Sequence, residues 1–272
     1  QLSPNLACVT SMDADHLDIY GEKKVLENSF REFTEKVTDR LIVCKGLPLE
    51  GLTYAVGEEA DYQISDIKVE NGAYSFTIKT PVSMQQNIEF ALPGRHNLSN
   101  ALAAVALAEQ YGLPLDAIAE ALKSFRGVKR RFSYKIKTND FVLIDDYAHH
   151  PTEIEAVADA VSEMYPNKKV VGVFQPHLYS RTNDFVEEFA KSLARFDELL
   201  LLDIYPAREL PIEGVTSDWL LGKIEKKEKK IVDKINVYRE LKKANADVVV
   251  MMGAGDIGVL IEEVSEQFKL EL

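Results

Sequence analysis

The sequence predicts an α/β protein in which a mixed first part precedes a second part built on a mostly parallel sheet. In the second part, apolar runs typical of buried strands alternate with segments of helical periodicity, which indicates a parallel sheet covered by helices on both faces. In the first part, short strand-like runs between 53 and 92 flank Asn71-Gly72, a strong hairpin signal. A basic stretch, RGVKR (126–130), separates the two parts, so we expect units at 1–127 and 128–272.

The first part opens with a predicted buried strand at 6–11, followed by a helix at 22–38 with apolar residues at helical spacing. A second strand is expected at 40–46, where a glycine ends it. The segment PGRHNLSNALAAVALAEQYG (93–112) predicts a turn and then an Ala- and Leu-rich buried helix that ends at Gly112. LDAIAEALKSF (115–125) predicts one more helix.

The second part is more regular. Its predicted strands are FVLIDDY (141–147), KVVGVF (169–174), ELLLLD (198–203), KKIVD (229–233) and ADVVVMMG (246–253). Helices are expected to begin near Pro151, Arg181, Thr216, Asn236 and Asp256. The lysine-rich stretch KIEKKEKK (223–230) is interpreted as a solvated helix face.

Composition and charge argue against a nucleic-acid-binding protein and against a membrane protein. The 272 residues carry 44 acidic and 32 basic side chains, a net charge of −12 that argues against a nonspecific nucleic-acid binder. Cys8 and Cys44 each lie in an apolar run, which predicts buried, reduced thiols. No apolar stretch approaches the ~20 residues of a membrane span, and no signal-peptide pattern is present. We therefore expect a cytoplasmic protein without a membrane or nucleic-acid partner. Because Gln1 is followed almost at once by a strand, we expect the chain to start inside a domain.

Polar and reactive side chains follow four of the predicted strands. The segments are DDYAHHP (145–151), QPHLYSRT (175–182), DIYPARELP (203–211) and GAGDIG (253–258). In open parallel sheets, ligands bind outside the carboxyl ends of the strands. The sequence therefore predicts a ligand site at this rim of the second sheet.

Two of these segments suggest specific ligands. Capping of the next helix, worth about 1 kcal/mol, does not explain why both Asp145 and Asp146 precede two histidines. A carboxylate there can bind ribose hydroxyls, while histidine or tyrosine contacts a second substrate. The histidine pair lacks the partners at helix spacing that a zinc site requires, which favours substrate positioning. Arg181, beside His177, is either solvated or donates bidentate hydrogen bonds to a carboxylate.

The segment GAGDIG matches the G-x-G-x-x-G pattern of dinucleotide-binding turns through Gly253, Gly255 and Gly258. Because the sequence ends at Leu272, we expect no further strand to supply the acidic ribose ligand about 20 residues later. We therefore favour a tight turn whose backbone N–H groups face the cleft over an NAD site.

Two features of the first part leave alternatives open. His16, in DADHLD (13–18), follows a strand and is interpreted either as a ligand of Mg²⁺ or as part of a helix-capping loop. Asn97 and Asn100 are three residues apart at a helix start, so they share a face and can hydrogen-bond a planar base. Capping of the helix by Asn97 explains the pattern equally well.

Seven segments in order resemble the Mur ligases, the ATP-dependent amide-forming enzymes of peptidoglycan synthesis. They are VTSMDADHLDIYG, PGRHNLSNALAAVA, GVKRRF, DDYAHHPTE, FQPHLYSRT, LLLDIYPARELPIEG and GAGDIG. The resemblance implies that 1–127 is the rear part of a central ATPase domain and 128–272 a Rossmann-like C-terminal ligase domain. The phosphate loop and the UDP-binding domain are expected to lie outside this chain, which we therefore expect to be inactive alone.

The resemblance also implies an activity. ATP phosphorylates the carboxylate of UDP-N-acetylmuramate, and the amine of L-alanine then attacks the acyl phosphate. Two alternatives remain: a recycling ligase that adds a tripeptide to the same acceptor, and a fragment that binds nucleotide or amino acid without catalysis. For ATP and Mg²⁺, the implied ligands are His16 for the metal, His96, Asn97 and Asn100 for the adenine, Arg131 for the phosphates and Asp146 for the ribose.

For the amino acid, the resemblance implies contacts from Tyr147, His149, His177 and Arg181. Arg131, His149 and Arg181 form the implied catalytic set. Position 178 departs from the family pattern, because it is Leu where members often carry a second arginine. We therefore expect either that Arg181 contributes more to recognition of the substrate carboxylate or that the pocket differs from that of the family.

Overall fold

The computed structural model describes residues 3–12, 23–70 and 73–271. It divides into two compact units, Gln1–Arg126 and Gly127–Leu272. His16 and the predicted Asn71-Gly72 turn lie outside the described residues. The α/β class and the mostly parallel second sheet are confirmed. In the described part of the chain, no helix is long and apolar enough to cross a membrane.

Unit 1 is built on a sheet whose strands follow one another in sequence order. The strands are β1 (Leu6–Val9), β2 (Arg40–Cys44), β3 (Leu52–Val56), β4 (Tyr62–Glu70), β5 (Ala73–Lys79) and β6 (Met84–Phe90). The first four pair in parallel, whereas β4, β5 and β6 form an antiparallel meander. The antiparallel pairing of β4 with β5 agrees with the predicted hairpin. Cys8 and Cys44 are free thiols, as predicted, but only half-buried.

The helices of unit 1 are α1 (Lys23–Thr34), α2 (Arg95–Gln110) and α3 (Leu115–Ser124). The Ala- and Leu-rich sequence of α2 is explained by its burial, since Leu98, Leu102 and Val105 are fully enclosed. Burying each such side chain stabilises the fold by about 1.5–3 kcal/mol. Tyr54 and Phe76 add large buried rings to the same unit.

Unit 2 contains a sheet in the order β11-β10-β9-β12-β8-β7. Its strands are β7 (Ser133–Lys137), β8 (Val142–Asp146), β9 (Val170–Phe174), β10 (Glu198–Leu201), β11 (Lys229–Ile231) and β12 (Val248–Met252). All neighbours pair in parallel except β7, an antiparallel edge strand that the sequence pattern did not predict. Every residue of β8 and β12 is buried, which explains their continuous apolar runs.

Helices cover both faces of this sheet. They are α4 (Pro151–Met164), α5 (Tyr179–Asp184), α6 (Val186–Leu193), α7 (Ser217–Lys223), α8 (Val237–Ala244) and α9 (Ile257–Lys269), with a 3₁₀ turn at Lys234–Asn236. One core packs beneath α4, α6 and α7, and another beneath α8 and α9.

Two details of the predicted pattern in unit 2 were wrong. The single helix expected from Arg181 is two short helices, α5 and α6. The stretch 223–230 is not a helix face, because α7 ends at Lys223 and Lys229 begins β11. The ammonium of Lys229 instead donates 2.7 and 2.5 Å hydrogen bonds to the carbonyls of Leu221 and Ile224, where α7 ends.

Candidate functional site

The rim of unit 2 brings together the exits of three strands. β12 lies between β8 and β9, and its last residue, Met252, pairs with Asp146 on one side and Phe174 on the other. The chain forms β8 and β9 first, and β12 later inserts between them. The strand order therefore reverses at β12. Such a reversal opens a crevice outside the carboxyl ends of the strands. The predicted site segments therefore meet, although they are up to about a hundred residues apart in sequence.

Asp145 and Asp146 are both buried at the end of β8, yet they face different partners. Asp145 pairs with Arg130 at 3.2 Å and Lys135 at 3.9 Å; burial raises its pKa despite these cations. The oxygens of Asp146 accept backbone N–H groups from Phe132 at 2.7 Å and Ala148 at 2.8 Å. Burial outweighs these bonds and raises the pKa of Asp146 to about 6. Neither aspartate caps the next helix.

Arg130 ties the beginning of unit 2 to the rim. Besides Asp145, its guanidinium donates to the carbonyl of Gly253 at 2.6 Å and lies 5.0 Å from the ring centre of Tyr147. Its neighbour Arg131 is different: its side chain is 54% exposed and pairs with Glu153 at 3.4 Å. Arg130 is therefore a structural cation, whereas Arg131 is accessible to a ligand. The sequence pattern alone did not separate these adjacent arginines.

The histidine pair is fixed by a capping box. α4 begins at Pro151, as predicted, and its N-cap is His150. Glu153 accepts the backbone N–H groups of His149 at 2.9 Å and His150 at 3.2 Å. The Nδ1 atom of His149 lies 2.9 Å from the carbonyl of Tyr147. Because a carbonyl only accepts, Nδ1 of His149 is the donor in this contact, which leaves Nε2 as the ring nitrogen that faces other partners.

Four rings form a row along the rim. Ring centroids are 5.2 Å apart for Tyr147 and His149, 6.1 Å for His149 and His177, and 5.6 Å for His177 and Tyr205. Arg181 approaches Nδ1 of His177 at 3.5 Å. Burial lowers the pKa of His177, and the positive charge of the nearby Arg181 lowers it further. The row therefore places the neutral ring of His177 beside a guanidinium, a suitable arrangement for an amine that carries a carboxylate.

The loop after β10, residues 203–214, is fastened to the β9 exit. The N–H of Leu178 donates to the carbonyl of Tyr205 at 3.0 Å, and the N–H of Tyr205 donates to that of Pro176 at 2.8 Å. Glu209 accepts hydrogen bonds from the backbone N–H of Ser180, at 3.0 Å, and from its hydroxyl. Sequence analysis placed these segments on one rim, but it did not identify Tyr205 or Glu209, since only the tertiary register reveals their partners.

The glycines of GAGDIG are required by packing within the protein. A Cβ on Gly253 or Gly255 would lie 2.9 Å from the carbonyl and 2.5 Å from the side-chain oxygen of Gln175, respectively. A Cβ on Gly258 would lie 3.0 Å from the guanidinium of Arg130. Gln175 also accepts the N–H of Ile257 at 3.0 Å, where α9 begins. A protein side chain thus takes an N–H that a dinucleotide phosphate would need.

Unit 1 places Asn97 and Asn100 at one cavity. The cavity measures 440 Å³, within the roughly 300–1,000 Å³ typical of small-molecule sites. The rest of its lining is apolar and comes from β6, α2, α3 and the residues beside them. Asn97 is not the N-cap, because Gly94 takes that position and the Asn97 side chain donates to the carbonyl of Pro93 at 2.7 Å. His96 is half-buried and is not among the lining residues.

The structure does not group side chains into a metal centre within residues 3–12, 23–70 and 73–271. The predicted metal ligand His16 lies outside these residues. A magnesium site at His16 therefore stays a prediction.

Comparison with known proteins identifies the family of both units. The Mur ligase middle domain matches residues 1–108, and the glutamate ligase domain of Mur ligases matches residues 130–261. The chain belongs to the Mur ligase family. The UDP-N-acetylmuramate–L-alanine ligase of Flavobacterium psychrophilum is 56% identical over 98% of the chain. The chain spans 60% of that relative's length.

Solved structures show the same fold. The UDP-N-acetylmuramate–alanine ligase MurC of Thermotoga maritima matches 99% of this Mur ligase chain with a TM-score of 0.79 and 27% identity; the match covers 61% of the MurC chain. The MurF ligase of Thermotoga maritima, solved in complex with ADP, matches 98% of the chain with a TM-score of 0.74. That match covers 62% of the MurF chain at 18% identity, so it bears on the fold alone.

Proposed function

We propose that the protein containing this chain is an ATP-dependent ligase that joins L-alanine to UDP-N-acetylmuramate in the cytoplasm. The observation that carries the proposal is the row of rings beside Arg181 in a chain 56% identical to a curated ligase of that name. The rim offers a guanidinium that can bind an anion and ring nitrogens that can accept a proton within one short stretch of surface. Those are the two groups that an incoming amino acid requires.

In this proposal, the amino acid lies along the row of rings. The guanidinium of Arg181 binds the carboxylate with two parallel hydrogen bonds, which fixes the orientation of the substrate. Nε2 of His149 accepts the proton of the ammonium group, because its Nδ1 is committed to the carbonyl of Tyr147. His177 and Tyr147 lie on either side of the small side chain of L-alanine. A general base of this kind contributes roughly 10²–10⁴-fold to the rate.

The nucleotide contacts belong to the same proposal. The apolar walls of the cavity in unit 1 suit the faces of an adenine ring, and Asn97 and Asn100 suit its polar edge. Arg131 is exposed and carries the positive charge that phosphates require. Asp146 contacts the ribose through the lone pairs that the backbone of Phe132 and Ala148 does not use. ATP would supply the phosphoryl group that activates the muramyl carboxylate. His16 is the predicted ligand of Mg²⁺, which would neutralise the developing charge.

Phosphate release by the full-length protein tests the proposal. The protein would be assayed with Mg-ATP and UDP-N-acetylmuramate, with L-alanine or the cell-wall tripeptide offered separately. We expect release that depends on L-alanine. Release only with the tripeptide would assign the protein to peptidoglycan recycling, and release with neither would contradict the assigned residue roles.

A further inference from the structure

Helix α5, which carries Arg181, has little support of its own. It spans only Tyr179–Asp184, and isolated helices of this length are unstable because helix nucleation is costly. The residue before it, Leu178, adopts a φ of +74°, a left-handed conformation that is unfavourable for a branched side chain. Such strain persists only where surrounding contacts hold the backbone in place. The contacts that hold α5 therefore determine where Arg181 lies.

Glu209 supplies two of those contacts from another segment. Its carboxylate accepts the backbone N–H of Ser180 at 3.0 Å and also the Ser180 hydroxyl, one residue before Arg181. Burial alone would raise the pKa of Glu209, but the hydrogen bonds from Ser180 and Tyr179 and the charge of Arg208 together outweigh it and lower the pKa. Glu209 is therefore ionised at neutral pH, and charge-assisted hydrogen bonds of this type are stronger than neutral ones.

The same loop is joined to His177. Tyr205 stacks on the His177 ring at 21° between ring planes, and the two residues form a parallel β-bridge. The chain between Tyr205 and Glu209 therefore spans the distance from His177 to Ser180. Both ends of the His177–Arg181 segment are held by one loop.

We propose that Glu209 is a positioning residue of the amino-acid site, holding the first turn of α5 so that Arg181 stays beside His177. The inference rests on the proposed function and extends it to a residue that does not touch the substrate. Loss of Glu209 leaves Arg181 present but misplaced. Recognition of L-alanine then weakens, whereas recognition of ATP does not.

Steady-state kinetics of the full-length protein test this inference. We expect Glu209→Ala to raise the KM for L-alanine at least about tenfold, because small misplacements of a positioning group are costly. The KM for ATP should stay within about twofold, since no nucleotide contact is assigned to this loop. Glu209→Gln keeps one acceptor oxygen and should recover part of the loss. Glu213→Ala removes an exposed carboxylate of the same loop and is the matched control.

A second variant separates positioning from a general loss of folding. Ser180→Ala removes only the hydroxyl bond to Glu209, so it should raise the KM for L-alanine less than Glu209→Ala does. In the double variant, the two effects should not add. Equal kinetics of Glu209→Ala and Glu213→Ala, or parallel rises in both KM values, would overturn the inference. A wild-type protein that ignores L-alanine would overturn the proposed function and this inference with it.

Discussion

At the scale of single residues, Asp145 and Asp146 show how neighbouring carboxylates acquire different properties. Asp145 faces two cations and works as an ion-pair partner of Arg130 and Lys135. Asp146 faces backbone N–H groups, one of them from Phe132, whose φ of +46° requires outside support. Asp146 thus holds the backbone at Phe132, near the beginning of unit 2, as well as the backbone at Ala148, where the rim segment follows β8. Its chemistry follows from burial rather than from its place in the motif.

Asp146→Asn should change stability in a pH-dependent way. Asparagine has one acceptor oxygen, so an N–H of Phe132 or Ala148 loses its partner at a cost of about 1–3 kcal/mol. The pKa of Asp146 rises from 3.8 unfolded to about 6 folded, so its contribution to stability is present below 3.8 and is lost as pH rises through 6. The deficit of the variant should therefore be larger near about pH 5 than near about pH 7.5. Urea unfolding of both proteins at these two pH values measures the stability deficit of the variant. A deficit independent of pH would show that Asp146 titrates normally.

Substitutions of the two arginines in the proposal, exposed Arg131 and half-buried Arg181, should affect different substrates. Arg181→Ala should raise the KM for L-alanine by about tenfold or more, because a charge-assisted carboxylate contact is lost. Arg131→Ala should instead raise the KM for ATP, since its charge is assigned to the phosphates. Each variant is the control for the other in the same steady-state assay. If both variants raised the same KM, the division of roles between the arginines would be wrong.

At the scale of elements, the turn between β12 and α9 illustrates a motif whose glycines serve packing. Gly255 leaves room for the Tyr205 ring, which a Cβ would approach to 2.7 Å. Tyr205 in turn stacks on His177, so the turn supports the row of rings from behind. The match to a dinucleotide pattern therefore has a different physical cause in this chain.

Gly255→Ala should destabilise the protein and disturb the rim. We expect a loss of about 1–3 kcal/mol, because the added methyl group overpacks a closed site. Gly222→Ala is the control: this helical glycine has no heavy atom within 4 Å of an added Cβ. That control should be stabilised by about 0.5–1 kcal/mol through helix propensity. Chemical unfolding of both variants gives the comparison, and equal stability of the two would refute the packing explanation.

At the scale of the whole molecule, the prediction of fold class succeeded because periodicity is a local signal. Strands β8 and β12 of unit 2 are buried on both faces, so their apolar runs were visible in the sequence. The edge strand β7, SYKIK, was not predicted, since only one of its residues is fully buried and the strand carries little apolar signal. The switch from one helix to two at Phe185 was also not predicted, because no glycine or proline marks it.

The candidate site was predictable as a rim but not as a set of contacts. The rule that ligands bind at strand ends predicts from the sequence alone that Asp146, His149 and His177 lie at one edge of the sheet. The order of β8, β12 and β9 then decided which exits are adjacent, and no local pattern encodes that order. Gln175 and Glu209 were missed for this reason: their partners are 82 and 29 residues away in sequence.

The amine that the full-length protein accepts distinguishes the proposed ligase from a recycling ligase. The most direct test is a competition in which ATP, Mg²⁺ and UDP-N-acetylmuramate are supplied with equal concentrations of L-alanine and the cell-wall tripeptide. Mass spectrometry then identifies and quantifies the products. The row of rings beside Arg181 and the identity to the Flavobacterium psychrophilum ligase predict the L-alanine adduct as the main product. A product dominated by the tripeptide adduct would contradict the account.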